Sequence, residues 1–332
     1  MSFSDIIGQK DVVKILKEEL AVERINHAYL FIGKEGIGKK TLALQFARAL
    51  LCNNEKNDSC DKCSSCRRID HGNHPDLKLI EAAEDTKYLK IDQIREMQKE
   101  IAYKPYESEY KIYIIDGAER MTPQAANSLL KTLEEPPAYA VIILLAEEIS
   151  KLLPTVISRC QNLRLSNISR EKLRNYLLNE GIEEDKIELL TGLARGSIGR
   201  ALNLNNDKDF LENRKSIFDF LKKIDNSDRV DIFDEADNFQ RLYKDDFPLF
   251  NLLSSWYRDI IVYKKGNRDQ LYNFDYETEI KLQAEKYNIE ELLNIVKLID
   301  RHAAYIEKNV FKDLSLQVLL LKIRAKRLQV RV

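Results

Sequence analysis

Long apolar runs and a surplus of charge of one sign are both missing from this chain of 332 residues. No apolar stretch approaches the ~20 residues that a membrane-spanning helix needs. The sequence does not open with an apolar run or a small-residue cleavage site, so we expect no signal peptide. The 53 Lys and Arg residues nearly balance the 54 Asp and Glu residues, which argues against a surface that grips nucleic acid throughout. We therefore expect a cytoplasmic protein with no membrane partner.

Cysteine is scarce and unevenly placed. Four of the five cysteines, Cys52, Cys60, Cys63 and Cys66, crowd into one short segment, which favours a metal site in a reducing compartment over disulfide pairs. Their spacing, C-x7-C-x2-C-x2-C, suits tetrahedral Zn²⁺ held in tight turns. An iron–sulfur cluster is the main alternative. We expect structural zinc at these four thiolates and assign Cys160 to core packing.

Two sequence patterns divide the chain. Over residues 1–165 short β-like runs alternate with helical runs, as a parallel α/β sheet requires. Beyond residue 166 the pattern is helical. We predict an α/β domain over 1–165 with the cysteine module at 52–66, a helical lid over 166–207 and an all-α domain over 208–332. The five expected strands cover residues 28–32, 77–80, 112–115, 141–145 and 161–165.

Glycine is also scarce, with 11 residues in the chain, but three of them stand in one loop. Gly33, Gly36 and Gly38 precede Lys39 between an expected strand and an expected helix, which is the context of a phosphate-binding loop. Backbone N–H groups and the helix N-terminus would hold phosphates there, and Lys39 would reach the terminal ones. A chance glycine-rich turn is the alternative. We expect a site that can bind ATP or ADP.

Two positions that ATP hydrolysis needs carry unsuitable residues. Lys40 stands where Ser or Thr would hold Mg²⁺. Thr41 cannot replace that hydroxyl, because one helical step turns a side chain by ~100°. Asp116 ends an apolar strand, as nucleotide sites of this type require, but Gly117 follows where a glutamate would orient the attacking water. If Lys40 swings to solvent, water can take the ligand position, so we expect weak or absent Mg²⁺ and little turnover.

Several motifs together resemble the clamp-loader ATPases of the AAA+ class. Residues 129–137, LLKTLEEPP, followed by Ser158-Arg159-Cys160, are highly specific to that family, and the glycine loop, the cysteine insertion and residues 111–116 also fit it. The resemblance is strong over residues 1–205 and looser beyond. It implies an α/β AAA+ P-loop domain with a parallel sheet and a zinc insertion, then a small helical lid and an all-α C-terminal collar for oligomerisation.

The resemblance also implies partners and a mechanism. Members form a pentameric ring, so the chain would assemble with the gamma/tau and delta clamp-loader subunits and act through the complex on the sliding clamp and primer-template DNA. Arg159 would enter a neighbouring subunit's ATP site as a trans arginine finger. A surface or ion-paired arginine is the alternative. The family's second sensor arginine would fall near Gly199 or Arg200.

Three functional interpretations remain open at this point. The first is an assembly subunit that donates Arg159 and hydrolyses little ATP. The second is a catalytically active gamma/tau-like ATPase, against which Lys40 and Gly117 argue. The third is a zinc-dependent nucleic-acid-binding module, which the balanced charge and the lack of interleaved aromatic and basic residues near the cysteines disfavour.

Overall fold

The computed structural model describes residues 2–83, 86, 88–207, 209–244, 248–307 and 312–328. The chain forms two compact units, one of residues 1–176 and 196–200, and the other of residues 177–195 and 201–332. None of the helices in the described ranges has the length and apolar composition needed to cross a membrane. The predicted three-domain division at residues 165 and 207 stays a prediction.

The first unit is built on a five-stranded parallel sheet with the order β2-β3-β4-β1-β5. Parallel neighbours need crossover connections, and the crossovers place helices on both faces of the sheet. The carboxyl ends of all five strands therefore lie at one edge, and the amino ends lie at the other. The strands are β1 (Ala28–Ile32), β2 (Leu77–Ile80), β3 (Lys111–Asp116), β4 (Ala140–Ala146) and β5 (Gln161–Arg164).

The central strands are apolar and buried on both faces. Every residue of β1 and of β4 is buried, as continuous apolar runs predict for a covered parallel sheet. Tyr29 and Phe31 point to the face that also buries Phe46, and Leu30 points to the face that buries Met97 and its neighbours. The two cores share the sheet as their common wall.

The helices of the first unit begin and end at recognisable signals. Thr122 caps the helix Pro123–Glu134, because its hydroxyl accepts a hydrogen bond from the backbone N–H of Ala125 at 3.2 Å. Pro123 stands at the first helical position. Pro136 and Pro137 come just after the same helix ends. From the start of the chain the helices are α1 (Lys10–Ala21), α2 (Lys39–Leu51), α3 (Ser64–Asp70), α4 (Ile91–Ile101), α5 (Pro123–Glu134), α6 (Pro154–Ile157) and α7 (Arg170–Asn179).

The second unit is helical in its described part. Trp256 is buried beside Phe218, with ring centroids 4.7 Å apart, and Tyr276 meets both rings edge-on. The buried carboxylate of Asp259 accepts hydrogen bonds from the backbone N–H groups of Tyr272 and Asn273. The remaining helices are α8 (Glu184–Ala194), α9 (Ile198–Asn206), α10 (Phe210–Lys223), α11 (Arg229–Lys244), α12 (Leu249–Lys264), α13 (Glu277–Ala284), α14 (Ile289–Glu307) and α15 (Lys312–Leu328).

The predicted fold class is confirmed: a parallel α/β P-loop sheet with a cysteine insertion is followed by a helical region. All five strands lie where the sequence predicted them. β3 and β4 are one residue longer at each end than expected, and β5 ends one residue earlier, at Arg164. These differences lie at strand ends, where hydropathy cannot distinguish the last paired residue from the first loop residue.

Candidate nucleotide and metal sites

The glycine loop lies at the carboxyl edge of the sheet, between β1 and α2. Gly33 leaves β1 with its backbone N–H bonded to the carbonyl of Ala146 at 3.0 Å, which ties the loop to β4. Gly36 and Gly38 have φ of 67° and 98°, in the left-handed region where a side chain would be strained. Gly38 caps α2, so the free N–H groups of the first turn face the loop. This is the backbone geometry that holds phosphate groups.

Lys39 is folded back onto the loop that precedes it. Its ammonium donates hydrogen bonds to the carbonyls of Gly33 at 2.6 Å and Lys34 at 3.1 Å, and only 9% of the residue is exposed. Burial lowers the pKa of this ammonium, although Glu147, Glu119 and other nearby carboxylates oppose the shift. A partly desolvated cation beside free N–H groups is suited to an anionic ligand.

The acidic half of the site stands on β3. Asp116 is its last residue, and burial raises the pKa of the carboxyl, while Lys40 lowers it and Glu81 raises it further. Gly117 follows with φ of 74°, a conformation that would strain a glutamate. Glu119, two residues further along the chain, has a buried Oε2 with no hydrogen-bond partner among the described residues. Its charge also acts on Lys39.

Lys40 does not swing free into solvent. Its ammonium lies 2.7 Å from Oε1 of Glu81 in an ion pair. Thr41 is exposed, as expected because one helical step turns its side chain away from the direction of Lys40. Sequence reasoning missed Glu81. It directly follows β2, and acids at the carboxyl ends of neighbouring parallel strands were the available signal.

The segment where the second sensor was expected packs directly on the glycine loop. The backbone N–H of Gly199 donates to the carbonyl of Gly36 at 2.9 Å, and the hydroxyl of Ser197 donates to the carbonyl of Glu35 at 3.0 Å. A Cβ at Gly199 would lie 2.8 Å from the Cα of Gly36, so only glycine permits this approach. The backbone N–H of Arg200 donates a hydrogen bond to Ser197 Oγ at 3.2 Å.

Arg159 lies at the opposite edge of the sheet from the glycine loop. It follows α6 and precedes β5, whose first residue, Gln161, pairs with Tyr29 near the start of β1. Its guanidinium donates to the carbonyl of Thr155 at 3.0 Å and forms a 2.6 Å ion pair with Glu134, the last residue of α5. One third of the Arg159 side chain stays exposed. The structure thus separates Arg159 from the glycine loop of the same chain by the length of β1.

The four clustered cysteines come together in space. Their sulfur atoms all lie within 4.8 Å of one another, so Cys52, Cys60, Cys63 and Cys66 could hold a metal ion. A tetrahedral Zn–S bond of ~2.3 Å sets sulfur atoms ~3.8 Å apart, close to this spacing. Cys52 directly follows α2, and Cys63 caps α3. The donor set therefore fits a closed, structural metal site.

The four cysteines of this cluster lie in different surroundings. Backbone N–H groups of Lys62 and Cys63 lower the pKa of Cys60 to about 6. Burial and then the Cys63 side chain raise the pKa of Cys66 to about 12. Nearby His71 bonds the carbonyl of Arg67, and buried His74 contacts the hydroxyl of Ser65 at 3.0 Å. Neither histidine belongs to the cluster of four cysteines.

Helix α2 also anchors the cysteine module through two polar side chains. The buried guanidinium of Arg48 pairs with Asp61, between Cys60 and Cys63, at 2.5 Å and with Asp70 at the end of α3. Gln45, one turn earlier, donates to Asp58 at 2.9 Å and to Ser59 at 3.1 Å. These contacts were not predicted, since long-range pairing leaves no trace in local spacing.

The sequence matches two family profiles. Residues 8–169 match the family described as DNA polymerase III, delta subunit, and residues 208–325 match its C-terminal counterpart. DNA polymerase III subunit delta' of Bacillus subtilis is 33% identical over 279 residues, which cover 83% of this chain and 84% of that protein.

Other relatives match over a smaller part of their length. DNA polymerase III subunit gamma of Buchnera aphidicola is 39% identical over 209 residues, which are 61% of this chain and 57% of that protein. The chain thus spans a little over half the length of that relative. Among solved structures, a gamma subunit-related protein from Thermotoga maritima covers 96% of this chain and all of its own at 22% identity, with a TM-score of 0.49.

Proposed function

Because the chain belongs to the DNA polymerase III delta subunit family of clamp-loader proteins, we propose that it is a delta-prime-like subunit of the replicative clamp loader. It would assemble with gamma/tau and delta subunits in a pentameric ring in the cytoplasm. Through that ring it would act on the sliding clamp and primer-template DNA. Its own part would be to hold the ring together and to supply one catalytic group to a neighbour.

The position of Arg159 carries this proposal. The arginine stands at the amino edge of the sheet, whereas Gly33 and Asp116 stand at the carboxyl edge. The five residues of β1 between the two edges span ~13 Å, so Arg159 is out of reach of its own glycine loop. An arginine that serves a neighbour's γ-phosphate stabilises charge that develops during transfer. In the isolated chain Glu134 holds that arginine at the surface.

The glycine loop supports nucleotide binding without efficient turnover. The residues proposed to hold ATP or ADP are Gly33, Gly36, Gly38, Lys39, Lys40, Thr41 and Asp116. Lys40 offers no Mg²⁺ ligand and is paired with Glu81. At Gly117 the backbone conformation disfavours the glutamate that hydrolysis needs. We expect the site to keep its nucleotide as a structural ligand.

The cysteine cluster is proposed to hold one structural Zn²⁺. Four thiolates and no open ligand position suit zinc in a structural role. No other feature of the described chain indicates electron transfer, which an iron–sulfur cluster would serve.

Reconstitution tests the proposed function. The chain is mixed with gamma/tau and delta subunits of a related bacterium, and complex formation is measured by size-exclusion chromatography with light scattering. ATP hydrolysis and clamp loading are then measured with sliding clamp and primed DNA, with and without the chain. Failure to join the complex, or equal loading without it, contradicts the proposal.

A gamma/tau-like ATPase is the second candidate, and the 39% identity to a gamma subunit favours it. Turnover by the isolated chain distinguishes the two. A motor subunit would hydrolyse ATP and lose that activity when Lys39 is changed to Ala.

A further inference from the structure

One position of the candidate nucleotide site carries a positive charge where related sites carry a neutral hydroxyl. Lys40 directly follows Lys39 at the start of α2. In P-loop proteins the side chain at this position coordinates Mg²⁺, which bridges the terminal phosphates. An ammonium cannot be a metal ligand, and it repels a nearby divalent cation.

Two carboxylates meet at the same place. β2 and β3 are parallel neighbours in which Ile80 pairs with Ile115. The residue after each member of this pair is an acid: Glu81 follows the end of β2, and Asp116 is the last residue of β3. Neighbouring strands lie ~4.8 Å apart, so the two acids are adjacent. The Lys40 ammonium contacts Glu81 at 2.7 Å. A cation is thus already present between the glycine loop and the acids that would otherwise hold a metal ion.

The Lys40 ammonium offsets part of the negative charge of these two carboxylates. Burial raises the pKa of the Asp116 carboxyl and Glu81 raises it further, while Lys40 and Lys39 lower it. Mg²⁺ would have to displace Lys40 and would still lack the hydroxyl ligand. Mg²⁺ also requires near-ideal octahedral geometry and gives up its waters reluctantly. The ammonium of Lys40 is therefore favoured over Mg²⁺ beside Glu81 and Asp116.

We propose that Lys40 acts as a built-in cation, so that this site binds nucleoside di- and triphosphates without Mg²⁺. The proposal rests on the proposed function only in taking the glycine loop as a nucleotide site. Phosphate oxygens would share the Lys40 ammonium with Glu81. A nucleotide held in this way lacks the divalent charge that assists phosphoryl transfer, so it stays bound and intact.

Nucleotide binding by the isolated full-length chain tests this proposal. Affinities for ADP and ATP are measured by titration calorimetry, in excess Mg²⁺ and in excess EDTA, for the wild type and for Lys40→Thr. The wild-type affinities should agree within about twofold in the two conditions. Lys40→Thr restores a hydroxyl and removes the charge, so its affinity should fall about tenfold or more on going from Mg²⁺ to EDTA.

Glu81→Gln provides an independent variant in case Lys40→Thr does not fold. It frees the ammonium from its carboxylate partner, so affinity in EDTA should rise about threefold or more. Lys186→Thr removes an exposed lysine from another ion pair, with Glu183 at 2.8 Å, and is the matched control. Lys39→Ala should abolish binding in both conditions.

Three results would overturn the proposal. The first is a wild-type affinity that falls in EDTA as far as that of Lys40→Thr. The second is an unchanged affinity in Glu81→Gln. The third is a folded wild type that binds no nucleotide in either condition. None of these decides whether the chain joins a clamp loader, which the reconstitution measures separately.

Discussion

At the scale of single residues, Arg159 is held by a partly exposed ion pair. Its ion pair with Glu134 joins two partly exposed groups, with one third and one half of the side chains accessible. Such pairs contribute only ~0–1 kcal/mol. The contact is therefore weak enough to give way to a phosphate group of a neighbouring subunit.

Arg159→Ala should leave the chain folded and able to join the complex, because it opens no core cavity and removes only surface contacts. The ATPase and clamp-loading rates of the reconstituted assembly should fall, by ~10³-fold or more at the affected site. Steady-state ATP hydrolysis with clamp and primed DNA measures this, after equal assembly has been confirmed.

Glu134→Gln is the matched control for this effect. It weakens the ion pair but keeps the guanidinium, so the assembly should retain its ATPase rate. Unchanged rates for Arg159→Ala in an intact complex would restrict Arg159 to a surface ion pair and remove the trans role.

At the scale of secondary-structure elements, helix α2 connects the two candidate sites. The glycine loop precedes its first residue, Lys39, and Cys52 follows its last, Leu51. Arg48 reaches from the same helix to Asp61 in the cysteine module and to Asp70 on α3. The module is therefore fastened to the helix that opens the phosphate site.

Arg48→Met should destabilise the first unit and weaken metal binding. Removing one member of a fully buried ion pair costs ~3–5 kcal/mol. Here Asp61 and Asp70 are 40% and 47% exposed and can regain water, so we expect about 1–3 kcal/mol. Zinc transfer to a chromophoric chelator should also quicken.

Arg67→Met is the control, since Arg67 is an exposed arginine on α3 in the same module. Equal zinc release by the two variants would show that Arg48 does not support the cysteine turns.

Metal analysis tests the cysteine module itself. The purified chain should contain about one zinc per molecule, because four thiolates complete the coordination of a single ion. Cys66→Ser removes the most buried ligand and should lose most of the zinc, whereas Cys160→Ser, which lies outside the cluster, should keep it. Iron with visible absorbance in the wild type would contradict the assignment.

Sequence patterns predicted the elements better than the contacts between them. The five strands and the cysteine cluster follow from local periodicity and spacing, so they were found. Glu81, Glu134 and Arg48 were not, because each acts on a residue far along the chain. Local residue spacing predicts which secondary structure a segment forms. The partner of a polar side chain depends instead on how distant segments pack against each other.

At the scale of the whole molecule, the two units respond to different probes. The only tryptophan of the chain, Trp256, lies in the core of the second unit. Its fluorescence therefore follows the unfolding of that unit. The proposed metal and nucleotide would both be held by the first unit, so their binding would report on that unit.

The second unit should lose stability below neutral pH through His302. Burial lowers the pKa of this imidazole, as do Lys322 and Arg301, while Ser315 opposes the shift. The unfolded chain therefore takes up a proton near the usual pKa of ~6.5, where the folded unit stays neutral. The contribution of neutral His302 to the stability of the second unit is complete above pH ~6.5. It declines as the pH falls from ~6.5 toward the lowered pKa that His302 has in the folded unit.

Urea unfolding followed by Trp256 fluorescence at several pH values measures this decline. His302→Gln should flatten it, and the same change at exposed His71 in the first unit serves as the control. An equal decline in wild type and His302→Gln would assign the pH dependence to other groups.

We expect the isolated chain to bind nucleotide but to hydrolyse ATP negligibly. Three parts of catalysis are missing together: no hydroxyl at position 40 holds Mg²⁺, no glutamate at position 117 orients water, and Arg159 stands at the far edge of the sheet. Each loss alone slows phosphoryl transfer, and together they should leave a site that binds phosphate but hydrolyses little ATP. Phosphate release by the purified chain should stay far below ~1 s⁻¹. Turnover at that rate or faster, lost in Lys39→Ala, would identify the chain as a motor subunit.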